Sequence, residues 1–148
     1  MTENSSPELK HLNYYRRERN WTQNFFISRN SRILDIGCGH GLLGKYLQST
    51  LDAEVTGVEI IESCYIEAKS VLNNAIYGNI ETMNLDILGN NYDYVIFSDS
   101  LEHLINPGET LFRVSSLLKD NGHLLISIPN VQNFRVTVPL VFRGSWEY

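Results

Sequence analysis

Three glycines, Gly37, Gly39 and Gly41, stand at alternate positions directly after the apolar run RILDI. Glycines so placed permit a tight turn and leave the backbone bare where a ligand lies against it. Gly39-His40-Gly41-Leu42-Leu43-Gly44 also satisfies G-x-G-x-x-G, a match that is unspecific alone because glycines in turns are usually only turns. The carboxylates narrow the choice of ligand. Asp35 precedes the glycines, where it would repel a pyrophosphate seated at the start of the following helix. A ligand carrying an ammonium and a sulfonium would instead be attracted. Glu59 falls about 20 residues past the glycines, a register from which a carboxylate accepts both hydroxyls of a ribose. The competing reading of Glu59 is an exposed charge at a strand end.

A second group lies in SDSLEHL, residues 98–104. Asp99, Glu102 and His103 are spaced so that their side chains share one side of a turn entering a helix. Two carboxylates and an imidazole form a partial shell for a divalent ion, which would orient an acceptor hydroxyl and lower its pKa. Without metal, His103 suits a general base toward an alcohol or phenol, and this simpler role is preferred. A histidine bonded to backbone at a helix end is the structural alternative. His11, His40 and His123 have less motif support. Cys38 reads as a small loop residue and Cys64 as helix packing, neither as a nucleophile.

The elements that position these residues alternate along the chain. RILDIG reads as a first buried strand, and Leu43, Tyr46, Leu47 and Leu51 mark a helix after Leu42. EVTGVEI reads as a second strand, and Ile61, Cys64, Tyr65, Ala68, Val71 and Leu72 as the stripe of a second helix. AIYGN is a short third strand. YDYVIFSD is a stronger fourth, because Val95, Ile96 and Phe97 run together as they do where both sheet faces are covered. Asn106, Pro107 and Glu109 read as an N-cap, an N1 proline and the arm of a capping box; Asn121-Gly122 would stop that helix, before a fifth strand HLLISI. This order predicts an α/β fold, a Rossmann-like doubly wound and mostly parallel sheet, with the ligand crevice beyond the carboxyl ends of the strands. The 148 residues divide into a helical lead-in over 1–30 with Arg16, Arg17 and Arg19 on one face, a core over 31–130 and a short segment over 131–148.

Composition bounds the rest. A formal charge of −5 gives no strong nucleic-acid signal, and the polar N-terminus and lack of a long apolar run predict a soluble, cytoplasmic protein with no membrane partner. Two cysteines outside any C-x-x-C pair predict reduced thiols.

Taken jointly and in order, ILDIGCGHG, VTGVEI, GNIE, YDYVIFSDSLEHL and LKDNGHLLISIPN resemble the successive motifs of class I S-adenosylmethionine-dependent methyltransferases. The closest resemblance is to a bacterial group of methionine-biosynthesis and glycan-associated enzymes. It implies that residues 35–39, including Asp35, Gly37, Cys38 and Gly39, hold the methionine moiety of S-adenosylmethionine. Glu59 would take the ribose, Ile60 one adenine face, Asn79 with Ile80 the adenine edge, and Ser98 and Asp99 the floor near the methyl group. Asn79 stands where relatives commonly have aspartate; its amide oxygen would still accept from the adenine amine. The Asp99, Glu102 and His103 spacing resembles the motif of metal-dependent O-methyltransferases, which begin it with glutamate and take a further ligand elsewhere. Complete members resemble a seven-stranded sheet ending in an antiparallel hairpin, for which too little chain follows the fifth strand. The expectation is therefore a fragment of a longer methyltransferase lacking the last two strands, with self-association through an exposed edge strand as a secondary expectation. The acceptor implied is a hydroxyl or amine of a small molecule or sugar. The alternatives are a non-catalytic cofactor-binding module and an NAD-dependent oxidoreductase, which Asp35 disfavours.

Overall fold

A computed structural model describes residues 26–130, so nearly all of the lead-in and the whole of 131–148 lie outside the described residues. The strands are β1 (Arg32–Ile36), β2 (Glu54–Glu59), β3 (Asn74–Tyr77), β4 (Tyr92–Ser98) and β5 (Leu118–Ser127). The helices are α1 (Leu42–Leu51), α2 (Glu62–Val71) and α3 (Pro107–Ser115), with 3-10 turns at Leu85–Leu88 and Leu101–His103. All neighbouring strands pair in parallel, in the order β3-β2-β1-β4-β5. This is the Rossmann-like α/β sheet that the alternation of elements predicts.

Alternation along β4 builds both faces of the core. Val95, Ile96 and Phe97 are all 0% exposed. Ile96 packs with Ile33, Leu43, Leu47, Val55, Ala68 and Leu72 under α1 and α2. Val95 and Phe97 pack with Leu34, Ile36, Val58 and Val114 under α3. Full burial of a side chain such as Phe97 stabilises by about 1.5–3 kcal/mol, which makes β4 the hydrophobic spine of the sheet. Small residues let the helices close in. A Cβ on Gly41 would come within 2.9 Å of Val71 and 3.1 Å of Ala68, so the start of α1 packs against the end of α2 because position 41 carries no side chain.

Two boundaries differ from the sequence reading. Helix α3 ends at Ser115, because the Ser116 and Leu117 amides turn back onto the Arg113 and Val114 carbonyls. Leu118 then pairs with Tyr92, whereas the next partner of the strand, Tyr94, faces His123. Asn121-Gly122 therefore lies in a bulge of β5 rather than stopping a helix. Glycine is required there, since a Cβ on Gly122 would meet the Tyr92 carbonyl at 2.9 Å. The capping box is also built otherwise. Asn106 makes no side-chain cap, and its amide donates instead to Glu81 Oε1 at 2.7 Å, so the acidic arm comes from Glu81 and not from Glu109.

Asp93 ties three strands together. It accepts from the Arg32 amide at 2.8 Å and from Lys119 Nζ at 2.6 Å. Burial alone would raise its pKa, but the Lys119 ammonium and the Arg32 amide outweigh burial and hold it below the ordinary carboxylate value.

Candidate functional site

A cavity of about 310 Å³ opens at the carboxyl ends of β1 and β2 and the loop after β4. β1 is flanked by β2 and β4, so this is the point where the sheet order reverses and crevices form in open α/β sheets. Among the residues singled out from sequence, Gly37, Glu59, Ile60 and Asn79 line it. So do Ile80, Asp99 and His103. Asp35, Cys38, Gly39 and Ser98 are not among its lining residues.

Asp35 is 1% exposed and lies one residue inside the strand from Ile36, which lines the cavity; the two side chains point to opposite faces of the sheet. The Cys38 thiol packs in the core under α1 and α2. Its pKa is pushed upward by burial first and then by the charges of Asp35 and Glu59. Both cysteines are free thiols.

Glu59 is 6% exposed, which removes the reading of a solvated strand-end charge. The Gly39 amide donates to its Oε2 and the Ile61 amide to its Oε1, both at 2.8 Å. One carboxylate thus holds the loop after β1 against the loop after β2 while facing the cavity. A carboxylate has about four acceptor sites, so capacity remains for a ligand.

The glycine loop is shaped by a residue that the sequence reading passed over. Ser100 Oγ donates to the Ile36 carbonyl at 2.6 Å. Gly37 has a φ of 75°, and a Cβ there would stand 2.6 Å from the Ser100 Cβ. Nothing local marks Ser100 in the sequence; the only trace is the demand for glycine at position 37. Over Gly39, in contrast, a Cβ would meet nothing within 4 Å.

Asp99 adopts a φ of 49° and is fixed to β5: Ser127 Oγ donates to its Oδ1 at 2.7 Å, and its amide donates to the Ser127 carbonyl at 3.1 Å. Glu102 is exposed and does not line the cavity. Among the described residues no group of three His, Cys, Asp or Glu side chains is placed to hold a metal. His103 closes the 3-10 turn, its amide donating to the Ser100 carbonyl at 3.2 Å, and it lines the cavity with Asp99 but without Glu102.

Asn79 is held by its own turn. Its Oδ1 accepts from the Glu81 amide at 2.9 Å, an Asx turn that fixes the side chain by one of the oxygen's two lone pairs. Glu81 itself lines the cavity and was not foreseen. No helix among the described residues is long and apolar enough to cross a membrane.

The family described as "Methyltransferase domain" matches residues 8–140. The ubiquinone biosynthesis O-methyltransferase of Bradyrhizobium diazoefficiens is 35% identical over 102 residues, covering 67% of this chain and 40% of the relative. The mitochondrial ubiquinone biosynthesis O-methyltransferase of Schizosaccharomyces pombe is 32% identical over 102 residues, covering 65% of this chain and 37% of the relative. The plantazolicin methyltransferase BpumL, solved with a monoazolic desmethylPZN analog and SAH, superposes with a TM-score of 0.69 at 25% identity, over 91% of this chain and 58% of that one. The chain spans about half or less of the length of the first curated relatives it matches. Fold, motif order and family match agree, and the chain belongs to the class I S-adenosylmethionine-dependent methyltransferase family.

Proposed function

We propose that the cavity binds S-adenosylmethionine and that the protein carrying this chain transfers a methyl group to a hydroxyl or amine of a small molecule or sugar. The observation that carries this reading is the buried Glu59 carboxylate, which faces the same cavity as the Gly37 turn and keeps acceptor capacity. An acceptor-only group there suits the hydroxyls of a ribose, and Ile60 and Ile80 offer apolar surface to a flat base. The open space over Gly39 suits a chain laid along the loop, with Gly37 at the turn. Asp35 and the adjoining Cys38 lie beneath; the Asp35 charge favours an ammonium and a sulfonium through its field and opposes a pyrophosphate. Asn79 Oδ1 accepts one bond within the chain and keeps a second lone pair for the adenine amine, while its amide nitrogen is a donor suited to a ring nitrogen of adenine. Ser98 ends β4, and Asp99 after it would form the floor near the methyl group.

The bound cofactor supplies an electrophilic methyl on a good leaving group. The protein therefore has chiefly to align donor and acceptor, and His103 at the cavity takes the acceptor proton where the acceptor is a hydroxyl. A cytoplasmic setting fits this chemistry and its reduced thiols. The SAH named with BpumL and the O-methyltransferase names of the relatives lend support. Calorimetry with S-adenosylmethionine, S-adenosylhomocysteine and NAD tests the reading. Binding of the two sulfur compounds is the expected result, and tight NAD binding with neither of them would overturn it.

A further inference from the structure

The geometry points to Arg113 as a positioning residue for recognition of the purine base. It does not line the cavity; it acts through the segment that does. Between β3 and the first 3-10 turn the chain runs through residues 78–84 without a strand partner, so its carbonyls need acceptor-satisfying donors from elsewhere. Arg113, half-buried on α3, supplies them. Its Nη1 donates to the Ile80 carbonyl at 3.2 Å and to the Glu81 carbonyl, and its Nη2 donates to the Met83 carbonyl at 2.7 Å. Gly78, Asn79, Ile80 and Glu81 form one wall of the cavity, so the guanidinium grips that wall from behind. A second link joins the same elements, since the Asn106 amide at the start of α3 donates to Glu81 Oε1.

A planar guanidinium presents five donors in a fixed fork, whereas an ammonium is a point donor that does not reproduce the fork. The placement of Ile80 and of the Asn79 turn therefore depends on a side chain 30 or more residues away in sequence. This inference rests on the cofactor reading above and deepens it: Arg113 fixes selectivity for the base, not affinity for the ligand as a whole.

The test uses the full protein with Arg113→Met and Arg113→Lys, and two probes, S-adenosyl-L-homocysteine and its inosyl counterpart, in which a carbonyl replaces the base amine. Affinities come from calorimetry, with circular dichroism and thermal melting alongside. The wild-type preference for the adenosyl probe is expected to fall about tenfold in Arg113→Met, the size of one lost charge-assisted bond, and by less in Arg113→Lys. General destabilisation would weaken both probes alike and leave the ratio unchanged, so an unchanged ratio in a folded variant overturns the proposal. If Arg113→Met does not fold, the ratio in Arg113→Lys decides. Wild-type protein that binds neither probe overturns the cofactor reading itself and this inference with it.

Discussion

Two opposite charges hold the two walls of the cavity. On the β1–β2 side the Glu59 carboxylate gathers amide donors from two loops, Gly39 and Ile61. On the far side the Arg113 guanidinium gathers carbonyl acceptors from one segment, at Ile80, Glu81 and Met83. The acid faces the cavity and the base stands behind it. The difference is between a residue that holds the site and meets the ligand with the same atoms, and one that only holds. Substituting the first mixes two effects; substituting the second isolates one.

Glu59→Ala therefore carries the largest expected effect. It removes the acceptor for two amides as well as the acceptor for the ligand, and each charge-assisted bond contributes about 1.5–3 kcal/mol. S-adenosylhomocysteine affinity should fall at least about tenfold, with a lower melting temperature in the absence of ligand. Glu59→Gln keeps one carbonyl oxygen and should retain most of the melting temperature while binding still suffers. Equal melting curves for wild type and Glu59→Ala would show that Glu59 does not hold the loops.

Gly37→Ala comes next. A Cβ against Ser100, on backbone at a φ of 75°, should cost about 1–3 kcal/mol in denaturant unfolding. Ser100→Gly in the same chain should recover part of it. No recovery would mean that the strain resides in the backbone alone. His103→Ala, read on a full-length enzyme with its acceptor, should lower turnover about tenfold with cofactor affinity unchanged, and activity should survive chelation. Activity lost to chelation and restored by magnesium would reverse that assignment. The smallest effect concerns the thiols. Iodoacetamide should modify half-buried Cys64 before buried Cys38. The Cys38 pKa is raised in the fold, so its contribution is fully present below the unfolded thiol pKa of about 8.5 and is lost as pH rises above it. Melting temperatures between pH 7 and 10 should fall more for wild type than for Cys38→Ala.

Much of the sheet was legible because its signals are local. The run through Val95, Ile96 and Phe97 named the central strand, and the glycines after Ile36 named the turn. For Asp35, alternation tells that it and Ile36 point apart, but only the packed sheet shows that Ile36 and not Asp35 lines the cavity. The Asx turn at Asn79 was within reach, since an asparagine commonly accepts from the amide two residues on. Ser100, Glu81 and Arg113 were not, because each acts on a backbone group far away in sequence. Asn121-Gly122 carried a true turn signal that was assigned to a helix end instead of a strand bulge.

The placement of β1 has a consequence for synthesis. Arg32 is paired to Asp93, 61 residues later, and the wall gripped by Arg113 closes later still. At ribosomal rates of about 5–20 residues per second, the nascent chain spends several seconds with the central strand made and one of its edges bare. A chaperone that shields β1 and releases it only after α3 has emerged would raise the yield of folded protein. Rare codons placed far enough beyond the codon for Arg113 that α3 has left the ribosome should favour folding, whereas a pause between β1 and β4 should favour aggregation.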